Sequence, residues 1–170
     1  MCSSLKRDPV SEAILRVLET TTYQRYRGER SAFVAAWLGL EPELVRHALT
    51  QLAAAGVIRD TGNGYAVVGT LSVDTRSRPD GLRHIRQHWL AVLAERAELP
   101  HPEDWSGYNV ISVSAADLAF VKERLQSLYR ELRARVAASE PPEEVALVLL
   151  QLTHWATPEA PGEVPLQRVS

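Results

Sequence analysis

The chain has little of what several classes of protein require. Its 170 residues include one cysteine, Cys2, so a disulfide within the chain is impossible and a cysteine-based zinc site is not expected. No apolar run approaches the roughly 20 residues needed to span a bilayer. The first twenty residues also lack the order of charged, apolar and small residues that marks a signal peptide. These absences predict a cytoplasmic protein with no membrane partner.

An excess of positive charge is missing as well. The chain has 19 basic and 21 acidic side chains, for a net charge of −2. A protein that coats nucleic acid is normally strongly basic, because phosphate neutralisation supplies most of the non-specific affinity. Five of the acids follow residue 139 with a single base, which leaves the earlier residues close to neutral. The overall charge therefore argues mildly against DNA binding.

Sequence patterns for catalysis are missing too. The chain has no Gly-x-Ser-x-Gly pattern of a hydrolase and no phosphate-binding glycine loop. His84 and His88 have the i, i+4 spacing that can place two imidazoles on one metal, but no third ligand is evident nearby. A solvated helical face is the favoured interpretation of this pair. We therefore expect no enzyme activity, no cofactor and no metal.

The most informative stretch predicts two short helices. Residues 31–38 form the first, with Ser31 as its expected cap and Gly39 as its end. After a tight turn Pro42 opens the second helix, which Gly56 closes. Four apolar residues of this second helix share one face: Val45, Ala48, Leu49 and Leu52. Two short helices joined by a glycine-containing turn indicate a helix-turn-helix.

A predicted β-hairpin follows directly. Val57–Arg59 has β-forming residues, Thr61–Gly64 is typical of a hairpin turn, and Tyr65–Val68 forms a returning strand. A helix-turn-helix followed by a hairpin is the winged form. With a preceding helix that begins at Asp8-Pro9, it makes a predicted winged helix-turn-helix domain over residues 8–70.

The rest of the chain predicts a second, α/β domain over residues 81–155, so that the fold class is α+β. A linker over 71–80 leads to a helix that starts at Pro79 or Asp80 and runs to about Glu98. A strand over 108–113, a long helix capped by Ser114 and a strand over 145–153 follow, an order that favours parallel pairing of the strands. Residues 156–170 are expected to be disordered.

The long helix of this domain carries the most regular apolar stripe in the chain: Leu118, Val121, Leu125, Leu128, Leu132 and Val136. The stripe has two interpretations, a dimer seam or a face that packs on the two predicted strands. Packing on the strands is favoured, since neighbouring strands need a cover. The helix around Trp89 is then the better candidate for the homodimer contact that we expect of a regulator.

The chain also resembles a known family. Ala36–Leu40, Val45–Leu49 and Gly56–Ile58 are similar to winged-helix bacterial regulators in general. Asn109–Leu118 and Glu144–Thr153 look like a bacterial family of uncharacterised presumed transcriptional regulators, in which a winged helix precedes a C-terminal domain of unknown function. Longer members carry a further N-terminal helix-turn-helix that this chain does not show. The resemblance implies transcription regulation and supplies no catalytic residues.

The predicted function is therefore a DNA-binding transcriptional regulator with a C-terminal dimerisation or sensing domain. The second helix of the motif would lie in the major groove of duplex DNA. The alternative is a protein-interaction module that keeps the winged-helix shape and docks a partner regulator, because Glu41 and Glu43 stand where phosphates would approach. The predicted DNA-contacting residues come from this helix, the hairpin and the segment before the motif: Arg46, His47, Thr50, Gln51, Arg59, Asn63 and Arg30.

Overall fold

A computed structural model describes residues 9–68 and 79–155 of the chain. The described part is a roughly α+β structure of helices and a two-stranded sheet. Asp8, most of the predicted linker 71–80 and the predicted tail 156–170 lie outside the described residues. The elements in chain order are α1 Pro9–Glu19, α2 Thr21–Arg25, α3 Arg30–Leu38, α4 Pro42–Ala54, β1 Ile58–Asp60, β2 Tyr65–Val67, α5 Pro79–Glu98 and α6 Ala115–Ala137.

Helices α3 and α4 pack against each other across a short turn. Gly39 ends α3 with a φ of +67°, a left-handed conformation that costs glycine little. The Leu40 amide then donates to the Ala35 carbonyl at 2.9 Å, which closes the end of the helix. Pro42 begins α4, where its missing N–H is not needed. The predicted order of helix, turn and helix is present in the structure with these bounds.

The hairpin β1–β2 follows α4. Its strands are antiparallel, with Ile58 opposite Val67 and Asp60 opposite Tyr65. Gly62 turns the chain with a φ of +77°, and its amide donates to Asp60 Oδ1 at 2.7 Å. The Tyr65 amide donates to the hydroxyl of Tyr23 at 3.0 Å, so the hairpin is tied to α2 as well as to α4.

Elements α1 to β1 enclose the hydrophobic core. Its fully buried side chains come from all of the first four helices and from Ile58 of β1. Helix α2, which the sequence pattern did not predict, contributes Tyr23, and Thr20 caps this helix by accepting from the Tyr23 amide at 3.2 Å. The buried apolar residues are Ile14, Leu15, Val17, Leu18, Tyr23, Val34, Ala35, Val45, Ala48, Leu49, Leu52 and Ile58.

The predicted cap of α3 is displaced by two residues. Glu29, and not Ser31, is the capping residue, and its carboxylate accepts from the Ser31 amide at 3.0 Å and from the Ala32 amide. Ser31 lies inside the first turn, where its buried hydroxyl donates to Glu29 Oε1 at 2.6 Å. The longer acidic side chain of Glu29 therefore takes the capping role that the sequence predicts for Ser31, two residues later.

The two strands predicted in the C-terminal part are wrong. Helices α5 and α6 occur where the sequence predicts them, but residues 108–113 and 145–153 are not strands. Among the described residues, no backbone hydrogen bond joins either segment to a neighbour. Tyr108 is 96% exposed and Val110 74% exposed. The physical reason is that β-forming residues make a strand only where a partner supplies the hydrogen-bond ladder, and no described segment of the chain does so.

Candidate nucleic-acid interface

Helix α4 divides into a buried face and an exposed face. Val45, Ala48, Leu49 and Leu52 pack into the core, so the residues between them must point outward. Arg46, His47 and Thr50 are exposed and Gln51 is half-buried. Four predicted contact residues are thus brought together on the helix, and all are polar.

Arg46 lies near two carboxylates. Its guanidinium donates to Glu43 Oε1 at 2.8 Å, one helical turn earlier, in an exposed ion pair. The hydroxyl of Thr50 donates to the Arg46 carbonyl at 2.9 Å and so stays close to the helix. An exposed pair of this kind is weak, on the order of 0.3–0.5 kcal/mol. Arg46 can therefore exchange Glu43 for a stronger anionic partner at small cost.

The second carboxylate near Arg46 is the capping residue of α3. The hydrogen bond from the Ser31 hydroxyl, together with those from the Ser31 and Ala32 amides, holds the pKa of the Glu29 carboxyl below its usual value. The positive charge of Arg46 lowers the pKa further, while partial burial opposes these effects. Glu29 is consequently a fixed negative charge beside the candidate interface.

His47 and Gln51 form a side-chain pair on the same helix. His47 Nε2 and Gln51 Nε2 lie 2.5 Å apart, four residues along one face. The amide nitrogen of Gln51 can only donate, so it donates to His47 Nε2, which accepts in the tautomer that carries its proton on Nδ1. Both side chains carry a donor and an acceptor, which is the chemistry that recognises base edges in a groove.

The hairpin places two more predicted residues at the surface. Arg59 is exposed on β1, opposite Ala66, and Asn63 is exposed in the turn between the strands. Both residues lie in the hairpin that follows α4 in the chain. No ion pair with Arg59 is found among the described residues, so its charge is available to an anionic ligand.

Arg30 is placed differently from the other predicted residues. Its guanidinium lies over the Tyr23 ring, 4.7 Å from the ring centroid, and donates to the Tyr23 carbonyl. It also packs against Gly64, where a Cβ atom would come within 3.1 Å of the guanidinium carbon. Arg30 therefore joins α2, α3 and the hairpin. Its predicted role as a phosphate contact stays a prediction.

Two features of this surface were not predicted from the sequence. Leu44 is a large apolar side chain that is 46% exposed on α4, between the two glutamates and Arg46. The capping role of Glu29 was also missed, although an acid just before a helix is a recognisable signal. Residues 9–68 contain six basic and six acidic side chains, so the region that carries the candidate interface has no net charge.

Comparison with protein-family models, with curated proteins and with solved structures finds no match for this chain. The family resemblance thus stays a prediction. In the described ranges no helix is long and apolar enough to cross a membrane. The same ranges hold no cluster of three or more histidine, cysteine, aspartate or glutamate side chains that suits a metal ion.

Proposed function

We propose that this protein is a DNA-binding transcriptional regulator that uses residues 30–68 as a winged helix-turn-helix. The observation that carries the proposal is the exposed polar face of α4, next to a hairpin that presents Arg59. In this arrangement α4 enters the major groove, and the hairpin approaches the phosphate backbone beside it. We also propose that the chain belongs to the family of presumed transcriptional regulators that it resembles, and that it is cytoplasmic, as the sequence predicts.

The roles of the side chains follow from their chemistry. Arg46 leaves Glu43 for a phosphate or a guanine edge, and Arg59 neutralises a phosphate. His47 and Gln51 offer the donors and acceptors that discriminate between base pairs. Since the domain has no net charge, the affinity depends on a few well-placed contacts and not on a broad positive field.

A matched pair of arginines makes the proposal testable. Arg46 pairs with Glu43 at 2.8 Å, and Arg16 of α1 pairs with Glu19 at 2.7 Å with the same three-residue separation. Titration of a fluorescent mixed-sequence duplex at low salt should show Arg46→Ala binding about tenfold more weakly, which corresponds to roughly 1.4 kcal/mol. Arg16→Ala should bind like the unmodified chain. Equal losses, or no binding by the unmodified chain at low salt, would contradict the proposal.

The glutamate of the ion pair provides the opposite test. Glu43→Gln removes a negative charge from the leading turn of α4 and releases Arg46. Affinity for the same duplex should therefore rise, whereas Glu19→Gln should leave it unchanged. A fall in affinity on Glu43→Gln would mean that the pair orders Arg46 for binding and that Glu43 does not compete with the phosphates.

Exposed Leu44 favours a second candidate function, docking of a partner regulator. An apolar side chain flanked by Glu41 and Glu43 suits a protein surface better than a phosphate backbone. In this case the unmodified chain fails to bind any duplex but co-purifies with a specific partner from its native cell. Leu44→Lys should abolish that association. Tight duplex binding that Leu44→Lys leaves intact would exclude this candidate.

A further inference from the structure

The described C-terminal part of the chain buries no side chain. From residue 83 to residue 155 every side chain is exposed or at most half-buried. In the apolar stripe of α6, Leu128 and Val136 are exposed, and the other four residues, Leu118, Val121, Leu125 and Leu132, are only half-buried. A region with two long helices and two apolar segments normally buries one face of each against a neighbour.

Two segments of this part that form neither helix nor strand also lack partners for their backbone groups. Residues 108–113 and 146–152 are rich in β-branched and large apolar residues, and neither makes a backbone hydrogen bond within the described chain. An extended apolar segment with unpaired N–H and C=O groups is a template for pairing with another strand. The residues around Pro142 and Val145 are anchored, because the Thr21 amide donates to the Pro142 carbonyl at 2.8 Å and Val145 packs on the core.

We infer that a second copy of this chain covers these surfaces, and that the segments 108–113 and 146–152 pair with those of the partner copy in an intermolecular sheet. Helix α6 then lays its apolar stripe on that sheet. The two segments form strands only in this dimer, where the partner copy supplies the hydrogen-bond partners that one chain lacks. The inference does not depend on DNA binding by the N-terminal part.

The exposed area is sufficient for such a dimer. The large apolar side chains between residues 105 and 155 expose on the order of 1,000 Å² in total, since each fully exposed aromatic side chain alone presents about 150–250 Å². A standard interface takes roughly 800 Å² from each partner, so these side chains can supply the area that a dimer needs.

The chemistry of the segments favours a copy of the same chain over an unrelated protein. A two-fold axis lets each copy offer the surface that it receives, so one sequence supplies both strands and the helix that covers them. Residues 145–152 read Val-Ala-Leu-Val-Leu-Leu-Gln-Leu, a nearly continuous apolar run of the kind found in strands covered on both faces. Such a strand needs neighbours and a cover, and the second copy contributes both.

The test compares two double variants with matched exposure. Ile111→Lys with Val148→Lys places charges in the paired segments at side chains 41% and 60% exposed. Tyr26→Lys with Val68→Lys does the same at 36% and 54% exposed in the N-terminal part. Light scattering after gel filtration at micromolar concentration should give twice the mass of one chain for the unmodified protein and for the second variant. The first variant should give the mass of one chain.

Amide hydrogen exchange tests the same inference on the unmodified chain. A folding defect in a variant therefore cannot affect the result. Amides of 108–113 and 146–152 should exchange slowly at high concentration and rapidly after dilution below the dissociation constant. A single-chain mass for the unmodified protein would overturn the inference. Free-chain exchange rates at every concentration, or a dimer that survives Ile111→Lys with Val148→Lys, would also overturn it. Since no DNA is present, these results are independent of the proposed function.

Discussion

Two regions of the chain, residues 9–68 and residues 83–155, are of similar length and carry similar apolar periodicity. They differ in whether their apolar side chains are buried. In the first region, short elements separated by a few residues enclose a core of fully buried side chains. In the second, helices of 20 and 23 residues are followed by segments that form neither helix nor strand, and no side chain from 83 to 155 is buried. Helix α6 alone is about 35 Å long at 1.5 Å per residue.

This difference shows what an apolar pattern in a sequence can and cannot predict. A stripe of apolar residues indicates that a face needs a cover, but it does not indicate which element supplies the cover. In the first region three residues connect α3 to α4, so the two helices necessarily meet. In the second region the connections do not return the segments to one another, and we propose that a second copy of the chain supplies the cover.

The largest effect that tests the comparison is expected in the core. Leu52→Ala removes a side chain that is 1% exposed, and should lower the free energy of unfolding by about 2–5 kcal/mol through lost burial and the cavity left behind. Leu128→Ala is the matched change in α6 and should cost well under about 1 kcal/mol at low protein concentration, since little burial is lost there. Urea denaturation followed by circular dichroism measures both. An equal loss of unfolding free energy in the two variants would contradict the difference in burial between the two regions.

Much of this contrast could be anticipated from the residues, and some could not. The starts of α4, α5 and α6 and the left-handed end of α3 follow from local signals: Pro42, Pro79, Ser114 and Gly39. Helix α2 was missed because Thr20–Thr22 has weak helix propensity and is held in place by packing of Tyr23. The strands were wrong because pairing depends on a partner distant in sequence or in another chain.

The candidate interface also combines features that local sequence patterns predict with features that they do not. The outward residues of α4 and the exposed position of Arg59 follow from periodicity, which is a local property. The engagement of Arg30 with the Tyr23 ring and carbonyl depends on the approach of three elements, and no spacing in the sequence contains that information. The ion pair of Arg46 with Glu43 could have been predicted from their three-residue separation.

The next effect concerns the link between hairpin and core. Tyr23→Phe removes the hydroxyl that accepts from the Tyr65 amide, leaving that partly buried N–H without its partner. We expect a loss of roughly 1–2 kcal/mol in the free energy of unfolding. Tyr26→Phe removes an exposed tyrosine hydroxyl from the same segment and should change stability little. Equal stability of the two variants would show that the hydrogen bond does not stabilise the hairpin.

A smaller effect is expected at the two glutamates that precede α3 and α4. Glu29 caps α3 with its carboxylate, while Glu41 occupies the same position before α4 without a side-chain cap. Glu29→Ala should therefore cost about 1 kcal/mol, and Glu41→Ala almost nothing. Thermal unfolding at neutral pH compares the two. A cost for Glu41→Ala as large as for Glu29→Ala would contradict the assigned capping.

The cap also makes a signed prediction for pH. Because the pKa of Glu29 is lower in the folded than in the unfolded chain, its contribution is fully present above the unfolded pKa. It is lost as the pH falls through the lowered, folded pKa. The stability difference between the unmodified chain and Glu29→Ala should shrink on acidification. A difference that stays constant or grows at low pH would contradict the hydrogen bonds that this carboxylate accepts.

The salt dependence of duplex binding tests the proposed function most directly. With a few cationic contacts from α4 and the hairpin, a plot of log association constant against log salt concentration should have a slope of about −2 to −3, near −0.9 for each phosphate neutralised. Arg46→Ala should make the slope shallower by about one, and Arg16→Ala should leave it unchanged. A flat plot, or the same slope for both variants, would show that the exposed face of α4 does not bind DNA.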